Sequence, residues 1–122
     1  MTRVIFAGGG TAGHVEPALS VARHWKSTHT DHEIQFIGTR TGLETRLVPD
    51  AGFQLRLITK VAIPRKLSLS LLTTPFALIR SITESVKIMR DADLLVGFGG
   101  YVSGPAYLAA AITRTPFIVH EA

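Results

Sequence analysis

Short β-branched apolar runs alternate along this chain with stretches whose apolar residues recur at helical spacing. Residues 3–7 (RVIFA), closed by glycine, read as a buried strand. Pro17 suits the first turn of a helix, and residues 18–26 continue it, with Ala18, Leu19, Ala22 and Trp25 on one face. Residues 33–38 (EIQFIG) form a second predicted strand. Residues 42–51 (GLETRLVPDA) form a short helix with Leu43 and Leu47 inward and Pro49 near its end, and residues 53–59 form a third strand. Thr74 followed by Pro75 fits an N-cap and first-turn proline. The helix that follows carries Phe76, Ile79, Ile82 or Thr83, Val86 and Met89 along one face, read mainly as core because this helix must cross the sheet. A fourth strand at 94–97, a helix at 104–112 and a fifth strand at 115–120 complete the pattern. Such alternation predicts an α/β fold: a Rossmann-like, doubly wound parallel sheet of order 3-2-1-4-5.

The totals narrow the class. At 122 residues and 46% hydrophobic, the chain suits one domain with a real core. No run approaches the roughly 18 apolar residues of a membrane span, and the apolar run 4–7 is too short for a signal peptide. The absence of cysteine excludes disulfides and thiolate chemistry. A net charge of +4 and a pI of about 10.0 suggest an anionic partner: nucleic acid, a phosphorylated ligand or an acidic membrane. Basic residues are not interleaved with stacking aromatics, which argues against nucleic acid. The sequence stops at His120-Glu121-Ala122, where a ligand loop past the fifth strand should begin, so a piece of a larger protein is expected.

Two glycine-rich loops carry the candidate chemistry. The first runs from Gly8 through Gly9, Gly10, Thr11 and Gly13 to His14; the second includes Gly97, Gly99, Gly100, Tyr101, Ser103 and Gly104. Glycines let backbone N–H groups approach a ligand, and a following helix N-terminus attracts phosphate. Two such loops beside strands one and four flank the topological switch point, which suits a diphosphate or a large phosphorylated ligand. Gly8, Gly10 and Gly13 also spell G-x-G-x-x-G, a dinucleotide fingerprint. The acid that such a site wants after strand two is absent, since the chain reads Gly38-Thr39-Arg40 there; Arg40 meeting a 2′-phosphate keeps an NADP-binding Rossmann module as the alternative.

Four ordered blocks, GGGTAGHVEPALSVA, GTRTGLETRLVPDAGF, GFGGYVSGPAYLAA and PFIVHEA, strongly resemble the N-terminal half of the MurG family. The resemblance covers nearly the whole chain. It implies the N-terminal domain of a GT-B glycosyltransferase. The family moves GlcNAc from UDP-GlcNAc to undecaprenyl-pyrophosphoryl-MurNAc-pentapeptide (lipid I), with inversion and without a metal or other cofactor, making lipid II for peptidoglycan. Residues 1–122 would then be the acceptor-binding domain, and UDP-GlcNAc would bind a C-terminal donor domain absent from this chain, which alone is expected not to transfer sugar. By the same resemblance, Gly9, Gly10, Thr11, Gly13, His14, Gly99, Gly100, Tyr101, Ser103 and His120 would hold the acceptor and its diphosphate. His14 would be the general base or a phosphate clamp, and Glu121 would stand near the reaction. Two departures are Ala12, where many members have glycine, and Ala122, where many have glutamine.

Elementary chemistry fits both roles of His14. An imidazole of ordinary pKa near 6.5 takes a proton from a sugar hydroxyl, whereas a nearby diphosphate favours the imidazolium and so a clamp; a structural role at the helix start is the third reading. His29 and His32 share a helical face without a third ligand, so no metal site is expected. Residues 60–90 carry six basic residues against the single acid Glu84. There Arg65, Lys66 and Arg80 lie among Leu67, Leu69, Leu71, Leu72 and Phe76. This mixture suits either a buried helix with a solvated basic face or an anionic membrane surface. The family resemblance favours peripheral attachment to the cytoplasmic face of the membrane.

Overall fold

A computed structural model describes residues 2–9, 12–60, 70–100 and 103–120, with backbone alone at residues 12 and 70–73. The elements follow one another as β1 (Arg3–Gly8), α1 (Ala12–Thr28), β2 (Glu33–Gly38), α2 (Glu44–Asp50), β3 (Gln54–Leu57), α3 (Ser70–Met89), β4 (Leu94–Gly99), α4 (Ser103–Thr113) and β5 (Phe117–Val119). All four strand pairings are parallel, in the order β3-β2-β1-β4-β5 that the alternation predicts. The first two crossovers move one way from β1, and α3 then returns the chain to the other side of β1. Right-handed crossovers therefore place α1 and α2 on one face and α3 and α4 on the other.

Side chains alternate across each strand and feed two cores. Val4 and Phe6 join Val15, Leu19, Phe36, Val48 and Phe98 beneath α1 and α2. Ile5 and Ala7 join Ile37, Met89, Leu95, Ala106 and Ala110 beneath α3 and α4. On the first face the rings form a row across the sheet: Phe53–Phe36 at 5.5 Å, Phe36–Phe6 at 5.3 Å, Phe6–Phe98 at 6.0 Å and Phe98–His120 at 5.1 Å.

Three helices depart from expectation. Both α1 and α3 begin earlier than predicted, so Pro17 and Pro75 stand at the sixth helical position rather than the first. Each proline forgoes one i→i−4 bond, to residue 13 and to residue 71. Burial of Val15, Ala18, Leu19 and Ala22 holds α1 despite that loss. The predicted core stripe of α3 is also displaced. Phe76 and Ile79 are 74% and 62% exposed, and the buried face is Ser81, Ser85, Ile88 and Met89. Helix α3 packs against α4, and on its buried face the Ser85 hydroxyl donates to the Ser81 carbonyl at 2.8 Å, which satisfies that hydroxyl within the helix. In α2, Glu44 and Val48 turn inward, while Leu43 is 38% exposed and Leu47 is partly buried. The reason lies at the site.

Candidate functional site

The carboxyl ends of β1 and β4 lie side by side at the switch point. Their register is regular up to Ala7↔Gly97, then shifts so that Gly8 pairs with Gly99. Gly99 and Gly100 adopt φ of +97° and +93°, a region that side chains rarely enter. A methyl on Gly100 would be driven into the Gly9 carbonyl, and one on Gly99 would stand 3.0 Å from His14 Cδ2 and 3.1 Å from Nε2. The second loop therefore rests directly on the first, backbone to backbone, with the partly buried His14 ring beside Gly99. His14 and the exposed Gly13 belong to the first turn of α1. The four leading N–H groups of a helix lack intrahelical acceptors, so this end suits an anion.

Ser103 opens α4 and is 3% exposed. Its hydroxyl accepts from the Gly99 N–H at 3.0 Å and donates to the Ala7 carbonyl at 3.3 Å. It thus pins the ends of β1 and β4 together from beneath. His120 donates its N–H to the Gly97 carbonyl at 2.7 Å and stands exposed past β5, its ring against Phe98. Of the predicted site residues, Gly9, Gly13, His14, Gly99, Gly100 and Ser103 come together, with His120 one strand away. Gly10, Thr11, Tyr101 and Glu121 lie outside the described residues.

Sequence reasoning misses Glu44. Its side chain is 1% exposed, and its carboxylate accepts from the Thr39 N–H at 3.1 Å. A Cβ added to Gly9, Gly38 or Gly42 would meet that side chain. Three glycines of the β1 and β2 ends thus surround one buried carboxylate, which fills the space behind the first loop. A carboxylate removed from water requires donors, and this requirement turns α2 so that Glu44 rather than Leu43 faces inward. The readable signal is an acid in the first turn of a helix, six residues after a strand-ending glycine and two after another.

The basic stretch divides. Arg80 and Phe76 are exposed on α3, as are Leu108 and Ile112 on α4, which packs against it. Arg65, Lys66, Leu67 and Leu69 lie outside the described residues, and the side chains of Leu71 and Leu72 are not described. His29 and His32 stack at 4.6 Å, and Trp25 Nε1–H donates to His32 Nδ1 at 3.1 Å. Among the described residues no three His, Cys, Asp or Glu side chains gather for a metal.

On α3, Glu84 accepts from the N–H of Thr59 at 2.9 Å and from its hydroxyl. Burial pushes the Glu84 pKa up, but these two bonds and the charges of Arg80 and Arg40 outweigh burial and hold it below its ordinary 4.5. The folded state therefore binds fewer protons than the unfolded state near pH 4. Its stabilising contribution is complete above the unfolded pKa and is lost as pH falls through the folded one. Wild type should exceed Glu84→Gln in urea-unfolding stability above pH 5 by under about 1 kcal/mol, given the partial exposure. That margin should shrink below pH 4.5; a margin constant from pH 3 to 7 would contradict the assignment.

Comparison with known proteins places this geometry. Residues 4–122 match the glycosyltransferase family 28 N-terminal domain. A relative from Corynebacterium diphtheriae is 52% identical over 122 residues, covering 98% of this chain and 33% of that protein. One from Mycolicibacterium vanbaalenii is 50% identical over 125 residues, covering 98% and 31%. Both are named UDP-N-acetylglucosamine--N-acetylmuramyl-(pentapeptide) pyrophosphoryl-undecaprenol N-acetylglucosamine transferase. The crystal structure of Acinetobacter baumannii MurG superposes with a TM-score of 0.80 at 33% identity, over 99% of this chain and 34% of that one. The Streptomyces glycosyltransferase SsfS6 matches at 0.69 and 17% identity over 99% and 39%, which shows the shared fold. The chain spans about a third of the length of the curated relatives it matches. With the family model spanning residues 4–122 and the sheet matching at this level, the chain belongs to glycosyltransferase family 28 and forms its N-terminal domain.

Proposed function

We propose that this chain is the acceptor-binding half of an inverting glycosyltransferase that moves GlcNAc from UDP-GlcNAc to undecaprenyl-pyrophosphoryl-MurNAc-pentapeptide. The observation that carries the reading is the meeting of the two glycine loops around His14. The backbones of Gly9 and Gly100 meet there without side chains of their own, and the adjoining N-terminus of α1 is the end of a helix that attracts a pyrophosphate. His14 is assigned to the pyrophosphate rather than to the sugar hydroxyl, because its ring lies against Gly99 between the loops. Gly10, Thr11 and Tyr101 are assigned to the same anion, and His120 to the sugar side, one strand along. Ser103 is a positioning residue, since its hydroxyl is engaged by Gly99 and Ala7. In the transfer, the acceptor hydroxyl oxygen bonds to the anomeric carbon, the carbon–oxygen bond to UDP breaks on the opposite face, and the hydroxyl proton passes to a base. The donor is held by a part of the enzyme outside this chain. The family assignment gives the NADP alternative no support.

No helix among the described residues is long and apolar enough to cross a membrane. We assign the exposed Phe76 and Ile79 of α3 and Ile112 of α4 to peripheral contact with the anionic cytoplasmic surface, where a polyprenyl-anchored acceptor resides.

Co-sedimentation with phosphatidylglycerol vesicles, with and without lipid I, tests both parts. The chain should bind plain vesicles and gain affinity from lipid I. Phe76→Ser should weaken binding to both vesicle types. His14→Gln should remove only the lipid I increment, roughly tenfold. No increment from lipid I, or saturable micromolar binding of NADPH instead, would overturn the reading.

A further inference from the structure

A surface pocket of about 260 Å³ opens between α3 and the carboxyl ends of β2 and β3, apart from the glycine loops. Arg40 enters it after β2, Lys60 after β3 and Arg80 from α3. The acid among its described lining residues is Glu84, whose carboxylate is turned to Thr59. Leu57, 41% exposed, supplies an apolar wall. Three cations against one engaged acid, in a concave site with an apolar side, suit an anionic group carried on a small organic body.

Position narrows the ligand. Neighbouring strands lie about 4.8 Å apart, so the ends of β2 and β3 stand roughly 5–10 Å from the end of β1 and its glycine loop. Pocket and loop share the carboxyl edge of the sheet, where ligands of parallel α/β folds bind. The acceptor in the relatives' names carries a pentapeptide, which spans about 17 Å when extended. A molecule held by its pyrophosphate at the loops therefore has a branch long enough to reach Arg40, Lys60 and Arg80.

We infer that this pocket is a subsite for a carboxylate of the acceptor's peptide branch; the inference rests on the acceptor reading above. Arg40 and Arg80 offer guanidinium forks that pair bidentately with a carboxylate, and Lys60 adds a point charge. Glu84 is turned to the Thr59 N–H and hydroxyl, so its carboxylate is engaged on that wall of the pocket.

Calorimetric titration of the chain with three water-soluble, short-prenyl pyrophosphoryl-muramyl probes tests this. One probe lacks peptide, one carries the pentapeptide with free carboxyls, and one carries it with every carboxyl amidated. Wild type should bind the free-carboxyl probe about tenfold more tightly than the other two, as expected for one or two charge-assisted contacts. Arg40→Gln/Lys60→Gln, two exposed positions, should abolish that preference and leave affinity for the peptide-free probe unchanged. Inorganic phosphate at millimolar concentration should not erase the preference; if it does, the site takes free phosphate and the inference fails. Equal wild-type affinity for all three probes, or equal weakening of all three in the double variant, would also overturn it. A peptide-free probe that does not bind at all would overturn the acceptor reading itself, and this inference with it.

Discussion

Gly100→Ala should lower the thermal midpoint of the chain by roughly 10 °C, corresponding to about 3 kcal/mol. Two costs add. Alanine at φ +93° is strained, by about 1–3 kcal/mol. Its methyl also has no room, because the Gly9 carbonyl occupies the space. Backbone cannot rotate aside as a side chain does, so the two loops must separate, at a further 1–3 kcal/mol or so. Against a typical total of about 5–15 kcal/mol, that loss is large. Separation also dismantles the anion site, so binding of a pyrophosphate probe should fall with stability. Gly104→Ala is the internal control. Gly104 lies in the first turn of α4 with nothing near its would-be methyl, so alanine should be neutral or stabilise by up to about 1 kcal/mol. Circular dichroism melts of the two variants decide the matter. A Gly100→Ala midpoint within about 2 °C of wild type would show that the loops do not touch as described.

Glu44→Ala should cost about 3 kcal/mol, an unusual penalty for removing an acid from a short helix. The side chain fills buried space, so its loss leaves a void, and the Thr39 N–H loses its acceptor. A sharper test uses the surrounding glycines. Gly42→Ala alone should destabilise, because its methyl would meet the Glu44 carboxylate, whereas in the Glu44→Ala background the same methyl enters vacated space. The double-mutant cycle should therefore show a coupling of at least about 1 kcal/mol by urea unfolding. Additive effects would mean that the carboxylate does not lie among the glycines.

These two sites also mark where the sequence was legible. Strand order followed from alternation, because short β-branched runs and helical periods leave few ways to wind a parallel sheet. The glycine loops were legible because only glycine meets their demand for close backbone approach. Pro17 and Pro75 misled, since a proline permits a first turn without requiring one, and packing of Val15 and Ala18 pays for a helix begun earlier. Leu47 packs against the first core as its spacing predicts, but Leu43 misled for a related reason: apolarity ranks residues by transfer to oil, and a ring of glycines with a backbone donor is a better home for a carboxylate than for leucine. The apolar stripe of α3 was real, but its first half faces outward at Phe76 and Ile79. Ser103 read as a ligand contact, because sequence does not show that its hydroxyl is engaged from below. The cationic pocket was illegible for another reason: Arg40, Lys60 and Arg80 come from three separate segments that only the folded sheet brings together.

The row of rings across the sheet has an optical consequence. The chain has a single tryptophan, and Trp25 stands edge-on to Phe6 at 6.1 Å with its indole N–H bonded to His32. Phe6 continues through Phe98 to His120 at the edge of the ligand-facing end. Indole emission from this protein therefore comes from one lamp, set against the central strand, with no second indole to blur the signal. Its colour reads whether the packing of α1 on that strand is intact, and every variant above can be followed by its own light without an attached dye.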